Sequence, residues 1–316
     1  MRFALMTEPQ QGLSYDEILA LARGAEESGL EAFFRSDHYA SFPGGAGLPT
    51  TDAWATLAGL ARDTSTIRLG SLVSPITFRA PGHFAKVVAT VDEMSGGRIE
   101  VGMGAGWNEL EHAQHGLAFP PLGQRFEMLE ESVAIVHGLW TEPDGWSYVG
   151  RHWQVRDARF ASRPARNGRR HPRIILGGDG GPRLSRLAAK YADEFNLVSA
   201  SPAKAREAYA RVADACRDAG RDPDEVVRSA MTGVLLAETA SELGDRIRLQ
   251  LEMTGSPADS ADAWLADRRS RWVIGTLDEA AEQVAALASA GAQRIMLQDF
   301  LPRDLDMVRL MGRLAA

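Results

Sequence analysis

A chain of 316 residues that is 45% hydrophobic, 24% charged and 7% aromatic carries enough apolar material for a large core, which excludes a disordered, collagen-like or coiled-coil protein. Thirty-five basic against 42 acidic residues leave a net charge of −7, and with a pI near 5.6 this argues against a phosphate-backbone binder, so nucleic acid is not an expected partner. The single cysteine, Cys216, excludes an intrachain disulfide and a cysteine-cluster metal site; with no membrane-length apolar run and no signal-peptide core in residues 1–7, a soluble cytoplasmic protein is expected.

Short β-like runs alternate with apolar stripes at helical spacing along the whole chain. This predicts strands at 2–7, 30–35, 67–74, 98–102, 173–176, 193–198, 228–236 and 294–298. Helices are predicted at 14–28, 52–63, 83–94, 125–139, 182–191, 202–218, 277–290 and 304–314. Ser14 with Glu17, and Thr276 with Glu279, have the spacing of capping boxes, and Gly29 and Gly291 follow helical stripes where the chain turns through left-handed angles. Repeated βα units predict an α/β fold, a (β/α)8 TIM barrel forming one domain over residues 1–316, with an open doubly wound sheet as its rival. Two connections are too long for simple loops and read as insertions after strands four and seven. The first, 140–171, spaces Trp146, Tyr148, Trp153 and Val155 like a hairpin before the basic stretch Arg163, Arg166, Arg169, Arg170 and Arg173; the second, 239–271, is polar and reads as a helical lid.

In such a barrel the chemistry sits at the C-terminal ends of the strands. Those positions hold Glu8, Ser36 to His38, Ser71 to Phe78, Gly102 to Glu109, Gly177 to Gly181, Asn196, Gln298 and Asp299. Gly177, Gly178, Asp179, Gly180 and Gly181 link an apolar strand to a helix opening on Pro182, a setting for a phosphate: glycines admit close approach and the helix N-terminus offers unpaired N–H groups. Gly104 and Gly106 would let a flat ring lie against backbone with Trp107 as pocket wall, but the run lacks the final glycine of a dinucleotide fingerprint. Ser36, Asp37 and His38 are chain neighbours and so cannot form a hydrolase relay; His38 alone is a titratable group suited to proton transfer. His112 and His115, near Glu109 and Glu111, lack the spacing of a metal site, and no metal is expected.

Taken together, the loops resemble the luciferase-like monooxygenase superfamily, in its branch of coenzyme F420 (deazaflavin)-dependent oxidoreductases. The resemblance rests on Arg35-Ser36-Asp37-His38, Ile67-Arg68-Leu69-Gly70, Ala85-Lys86-Val87-Val88-Ala89-Thr90-Val91-Asp92, Ser95-Gly96-Gly97-Arg98, Gly104-Ala105-Gly106-Trp107, Leu139-Trp140, and Gly177-Gly178 with Ala192-Asp193. It implies a deazaflavin or flavin ring at the barrel mouth, its phosphate held near Gly177 to Gly181, and a strand-three bulge with a cis peptide at Leu72-Val73 supporting the ring. On this resemblance the cofactor is contacted by Asp37, His38, Ser71, Leu72, Val73, Gly104, Gly106, Trp107 and Gly177 to Gly181, with His38 as the catalytic residue. Substrate contacts are expected from Glu8, Phe78, Trp107 and Asn108, within an apolar pocket that includes Phe34 and the Trp146/Trp153 insertion; the insertion's arginines are assigned to the cofactor's carboxylate-bearing tail. The implied reaction is hydride transfer between F420 and a small organic substrate. The alternatives are a reduced-FMN monooxygenase served by a separate flavin reductase, and a non-catalytic flavin-binding barrel. Related barrels dimerise, so a homodimer is a further expectation of the resemblance.

Overall fold

The computed structural model describes residues 1–42, 47–161, 170–255 and 261–316. In chain order the elements are β1 (Arg2–Thr7), α1 (Tyr15–Glu27), β2 (Ala32–Arg35), α2 (Ala53–Asp63), β3 (Arg68–Pro75), α3 (Pro81–Ser95), β4 (Ile99–Gly104), α4 (Glu109–Gln114), α5 (Leu122–Thr141), β5 (Trp146–Val149) and β6 (Gln154–Ala158). They continue with β7 (Arg173–Gly178), α6 (Pro182–Tyr191), β8 (Glu194–Leu197), α7 (Pro202–Asp218), β9 (Val227–Ala237), α8 (Ala240–Thr254), α9 (Ala261–Arg268), β10 (Trp272–Thr276), α10 (Leu277–Ser289), β11 (Arg294–Asp299) and α11 (Leu305–Ala315). Both capping boxes form, and Gly29 (φ 77°) and Gly291 (φ 101°) take the left-handed turn. No described helix is long and apolar enough to cross a membrane.

Strands β1, β2, β3, β4, β7, β8, β9 and β11 pair in parallel, and the β8–β9 pairing closes them into an eight-stranded barrel flanked by helices. The closed barrel, not the open sheet, is therefore the fold. Register aligns the strand ends at one rim: Thr7 lies opposite Arg35 on one side and Asp299 on the other, and Gly178 opposite Leu197. The residues that follow these ends are thereby gathered around one mouth.

Inside, the barrel is layered from bottom to mouth. At the N-terminal ends Arg294 bridges Glu100 (2.6 Å) and Glu194 (3.1 Å), with Arg173 on Glu194 (3.2 Å) and Arg68 on Glu100. Above lies an apolar layer that includes Met6, Phe34, Ile175 and Met296. Phe34 thus belongs to the barrel interior and not to a pocket wall.

Both insertions depart from expectation. Trp146, Tyr148 and Val155 do build the β5–β6 hairpin, but Trp146 packs on Gly138, outside α5 and away from the mouth. Only Gly138 admits it, since any side chain there would overlap the indole. Arg163, Arg166 and Arg169 lie outside the described residues. The second insertion is no free lid: α8 buries Leu243, Ile247 and Leu251, and the chain returns as β10, which pairs in parallel with the far half of β9 (Gly233–Ala237 against Trp272–Thr276).

Asp299 closes β11 with a buried carboxyl whose Oδ1 accepts the Leu301 N–H at 2.7 Å and whose Oδ2 is unpartnered among the described residues. Burial pushes its pKa up to about 7, against the pull of that hydrogen bond. The folded protein therefore keeps a proton that the unfolded carboxyl, near its usual ~3.9, has already lost, so stability falls as pH rises from about 4 to 7. Asp299→Asn is expected to flatten that decline. In urea unfolding at pH 5 and pH 8, the gap between the two midpoints should shrink in the variant; an unchanged gap would assign the pH dependence elsewhere.

Candidate active site

A cavity of about 840 Å³ opens at the C-terminal mouth of the barrel. On one side stands His38, carried by the segment that leaves β2. Its Nδ1 lies 2.9 and 3.1 Å from the two carboxylate oxygens of Glu111, which also accepts the Tyr39 N–H at 2.9 Å. Glu111 is buried, and an ionised carboxylate only accepts, so Nδ1 carries the hydrogen and Nε2 is the nitrogen left for chemistry. Phe42 (4.5 Å) and Trp107 (5.6 Å) meet the imidazole edge to face and fix its plane.

Beside it runs a hydrogen-bonded polar wall. Ser36 Oγ donates to Gln10 Oε1 (2.6 Å), Gln10 Nε2 donates to Glu8 Oε2 (2.6 Å), and Gln298 Nε2 donates to Glu8 Oε1 (2.5 Å). Phe300 adds an apolar panel backed by Trp272, stacked at 4.9 Å, which is how β10, the strand that follows the second insertion, supports the site.

The floor is a bulge in β3. The Leu72–Val73 peptide is cis, and the register with β4 slips between Ser71 and Ser74. Val73 then projects against glycines: a Cβ at Gly104 would come within 2.6 Å of its Cγ2, and one at Gly177 within 2.9 Å of its Cγ1. Across the mouth, α6 begins at Gly181 with no side-chain cap, leaving its first-turn N–H groups for a ligand. Lys204 holds the loop before it through Asp179 Oδ1 (2.7 Å) and the Val198 carbonyl (3.0 Å), and Arg211 holds the Gly180 carbonyl (2.9 Å). Asn196 donates to Ser229 (2.9 Å) while its buried Oδ1 has no partner among the described residues. A glycine-floored platform, an uncapped helix start and an unpartnered acceptor on the wall suit a flat heterocycle with an anionic arm.

A family profile described as luciferase-like monooxygenase matches residues 1–294. The chain belongs to this family. Its sequence is similar to the F420-dependent glucose-6-phosphate dehydrogenase of Nakamurella multipartita, 33% identical over 72% of this chain, a match spanning 65% of that relative. The enzyme of the same name from Microbacterium testaceum is 28% identical over 95% of this chain and 91% of its own length. Among solved structures, an F420-dependent secondary alcohol dehydrogenase in complex with an F420-acetone adduct superposes with a TM-score of 0.81 at 18% identity, covering 99% of this chain and 97% of that one; it attests the fold.

Within this luciferase-like barrel the expected residues divide. Glu8, His38, Leu72, Val73 and Trp107 line the cavity, as do Gly104, Gly106, Gly177, Gly178, Asp179 and Gly181. The others stand behind that wall. Asp37 is buried and accepts from Ser74 Oγ and Arg79 Nη1, both at 2.6 Å, so it braces the His38 segment and does not reach the cavity. Ser71 lies under Ser74 (3.0 Å), Phe78 stacks on Tyr39 (4.5 Å), and Asn108 offers its carbonyl to His112 Nδ1 (2.7 Å). Gly180 spends its carbonyl on Arg211. Gln10 lines the cavity and Glu111 anchors His38, neither of them assigned to the site from sequence; Asn196 and Gln298, named only as strand-end positions, line it as well. Glu111→Gln keeps an acceptor but removes the charge that orients His38; a roughly 10- to 100-fold loss of turnover is expected, by analogy with other groups that hold a working histidine. Steady-state kinetics with an unchanged melting temperature would separate this from unfolding.

Proposed function

We propose that the chain is an F420-dependent oxidoreductase that moves a hydride between the deazaflavin and an uncharged hydroxyl or carbonyl compound. The observation that carries the reading is His38, anchored through Nδ1 on buried Glu111 and facing the same cavity as the Val73 platform and the start of α6. The names of the two sequence relatives support the choice of cofactor. When bound, the deazaflavin supplies a ring carbon that gives or accepts the hydride. The first-turn N–H groups of α6 and the Gly177–Gly181 loop would hold its phosphate, and Val73 with the backbone at Gly104 and Gly106 would support its ring. His38 Nε2 holds or takes the hydroxyl proton, while Glu8, fixed by two amides, accepts from a second polar group of the substrate.

The substrate class follows from charge. Around His38 the described wall offers Glu8, Gln10, Gln298 and aromatic faces, with no lysine or arginine; the one such residue among the described lining, Arg183, lies in the first turn of α6 on the other side of the mouth. A phosphorylated sugar would meet a carboxylate there with no counter-charge. The test is an anaerobic titration of the protein with oxidised F420 and, separately, FMN, followed by turnover on alcohols, ketones and glucose 6-phosphate. Tighter F420 binding with turnover of the uncharged compounds is the expected result. Tighter FMN binding with oxygen uptake would favour the flavin monooxygenase, and binding without any turnover the non-catalytic barrel.

A further inference from the structure

A second cavity, about 420 Å³, lies outside the barrel between α5, α6 and the β5–β6 hairpin, and Arg183 lines both it and the mouth cavity. The groove thus adjoins the side of the active site where α6 begins, with Arg183 between them. It contains three glutamates, but each is already engaged. Glu130 takes Arg183 in a two-point pair (2.6 and 2.7 Å), Glu127 takes Arg151 (3.1 Å) and His152 (3.0 Å), and Glu131 accepts the N–H groups of residues 151–153 at the hairpin turn. Among the described residues, two cations in the groove are left without a carboxylate: Arg186 and Lys190. Lys190 Nζ lies over the face of Tyr191, 4.9 Å from the ring centroid.

Arg183, Arg186 and Lys190 follow an i, i+3, i+7 spacing, so they form one stripe down α6 from the mouth outward. Seven residues of helix rise about 10 Å, roughly the reach of three extended acidic residues with carboxylates at successive cations. We propose that this groove is the track for the oligoglutamate tail of the deazaflavin, which leaves the active site past Arg183 and lays its carboxylates on Arg186 and Lys190. The inference rests on the F420 reading above, and it moves the expected tail contact from the insertion arginines to the face of α6. Because the pairs are exposed, they tune affinity and tail-length preference and do not decide whether the ring binds.

The test uses F420 bearing one glutamate and F420 bearing five or more, titrated by fluorescence into wild type and Arg186→Glu/Lys190→Glu at low and high salt. Wild type is expected to bind the long-tailed form about fivefold or more tighter at low salt, an advantage lost at high salt and in the variant, while affinity for the one-glutamate form is unchanged. A matched Arg186→Gln/Lys190→Gln variant, which loses the charges without reversing them, should show an intermediate loss. Equal affinity of wild type for both forms, or equal weakening of both by the variants, would overturn the proposal and leave the F420 reading standing. Failure of wild type to bind either form would remove both.

Discussion

His38→Ala is expected to lower turnover by about 10²- to 10⁴-fold while leaving deazaflavin affinity nearly unchanged, because the cradle at Val73, Gly104 and Gly177 does not depend on the imidazole. The described wall then holds two other carboxylates, and neither is free: Glu8 is committed to Gln10 and Gln298, and Asp179, across the mouth, is held by Lys204. Alanine also leaves Glu111 buried with only the Tyr39 N–H, so part of the effect could come from a displaced loop. Two measurements separate the causes. Added imidazole should recover some rate in His38→Ala if a missing base is the fault, and His38→Gln, which keeps a donor for Glu111, should remain as slow as alanine while melting like wild type. Wild-type turnover in both variants would strip His38 of its role and leave the site a binding chamber.

The barrel was legible because its strands are local signals: an apolar run closed by glycine or proline reads the same before and after folding, and the helix at 182–191 is α6 to the residue. What escaped is made by contacts distant in sequence. Glu111 stands 73 positions from His38 and meets it only because α4 folds back over the end of β2; by sequence it was one of several acidic and histidine residues in a turn. Gln298 lies 290 positions from Glu8 and reaches it only because closure makes β11 the neighbour of β1. Strand β10 was missed because its partner is the far half of β9, an extension that no local period announces. The hairpin was seen but not its side: the choice of α5's outer face depends on Gly138, whose lack of a side chain acquires meaning once Trp146 is in place. Asp37 illustrates the opposite error: expected at the cofactor, it is buried behind the cavity wall, where Ser74 and Arg79 hold it and so the segment of its neighbour His38.

The largest stability effect is expected at the opposite end of the barrel, at Arg294. This guanidinium is fully buried and is shared by two buried carboxylates. Burial alone would push both carboxyls up, but Arg294, Arg173 and Arg68 outweigh it at Glu100 and hold that group well below the usual carboxylate range. At Glu194 burial wins, aided by the charge of Glu100, and its pKa stays raised. The pair is therefore poised with one firm charge and one reluctant one, both dependent on the same cation. Arg294→Met should cost about 3–5 kcal/mol near neutral pH, because the substitution strands charge in the barrel interior. The sign of its pH dependence follows: without Arg294 both carboxyls bind protons more readily in the folded state than they do in wild type, so the variant's deficit grows as pH rises and is smaller at pH 5 than at pH 8. Adding Glu100→Gln and Glu194→Gln removes the stranded charges, and the triple variant should recover most of the loss and its pH dependence. Urea unfolding of the three proteins at both pH values checks this. A deficit that is the same at pH 5 and pH 8, or one that the triple variant deepens, would mean that Arg294 acts by filling space and by its hydrogen bonds, and that charge balance is not what closes the bottom of the barrel.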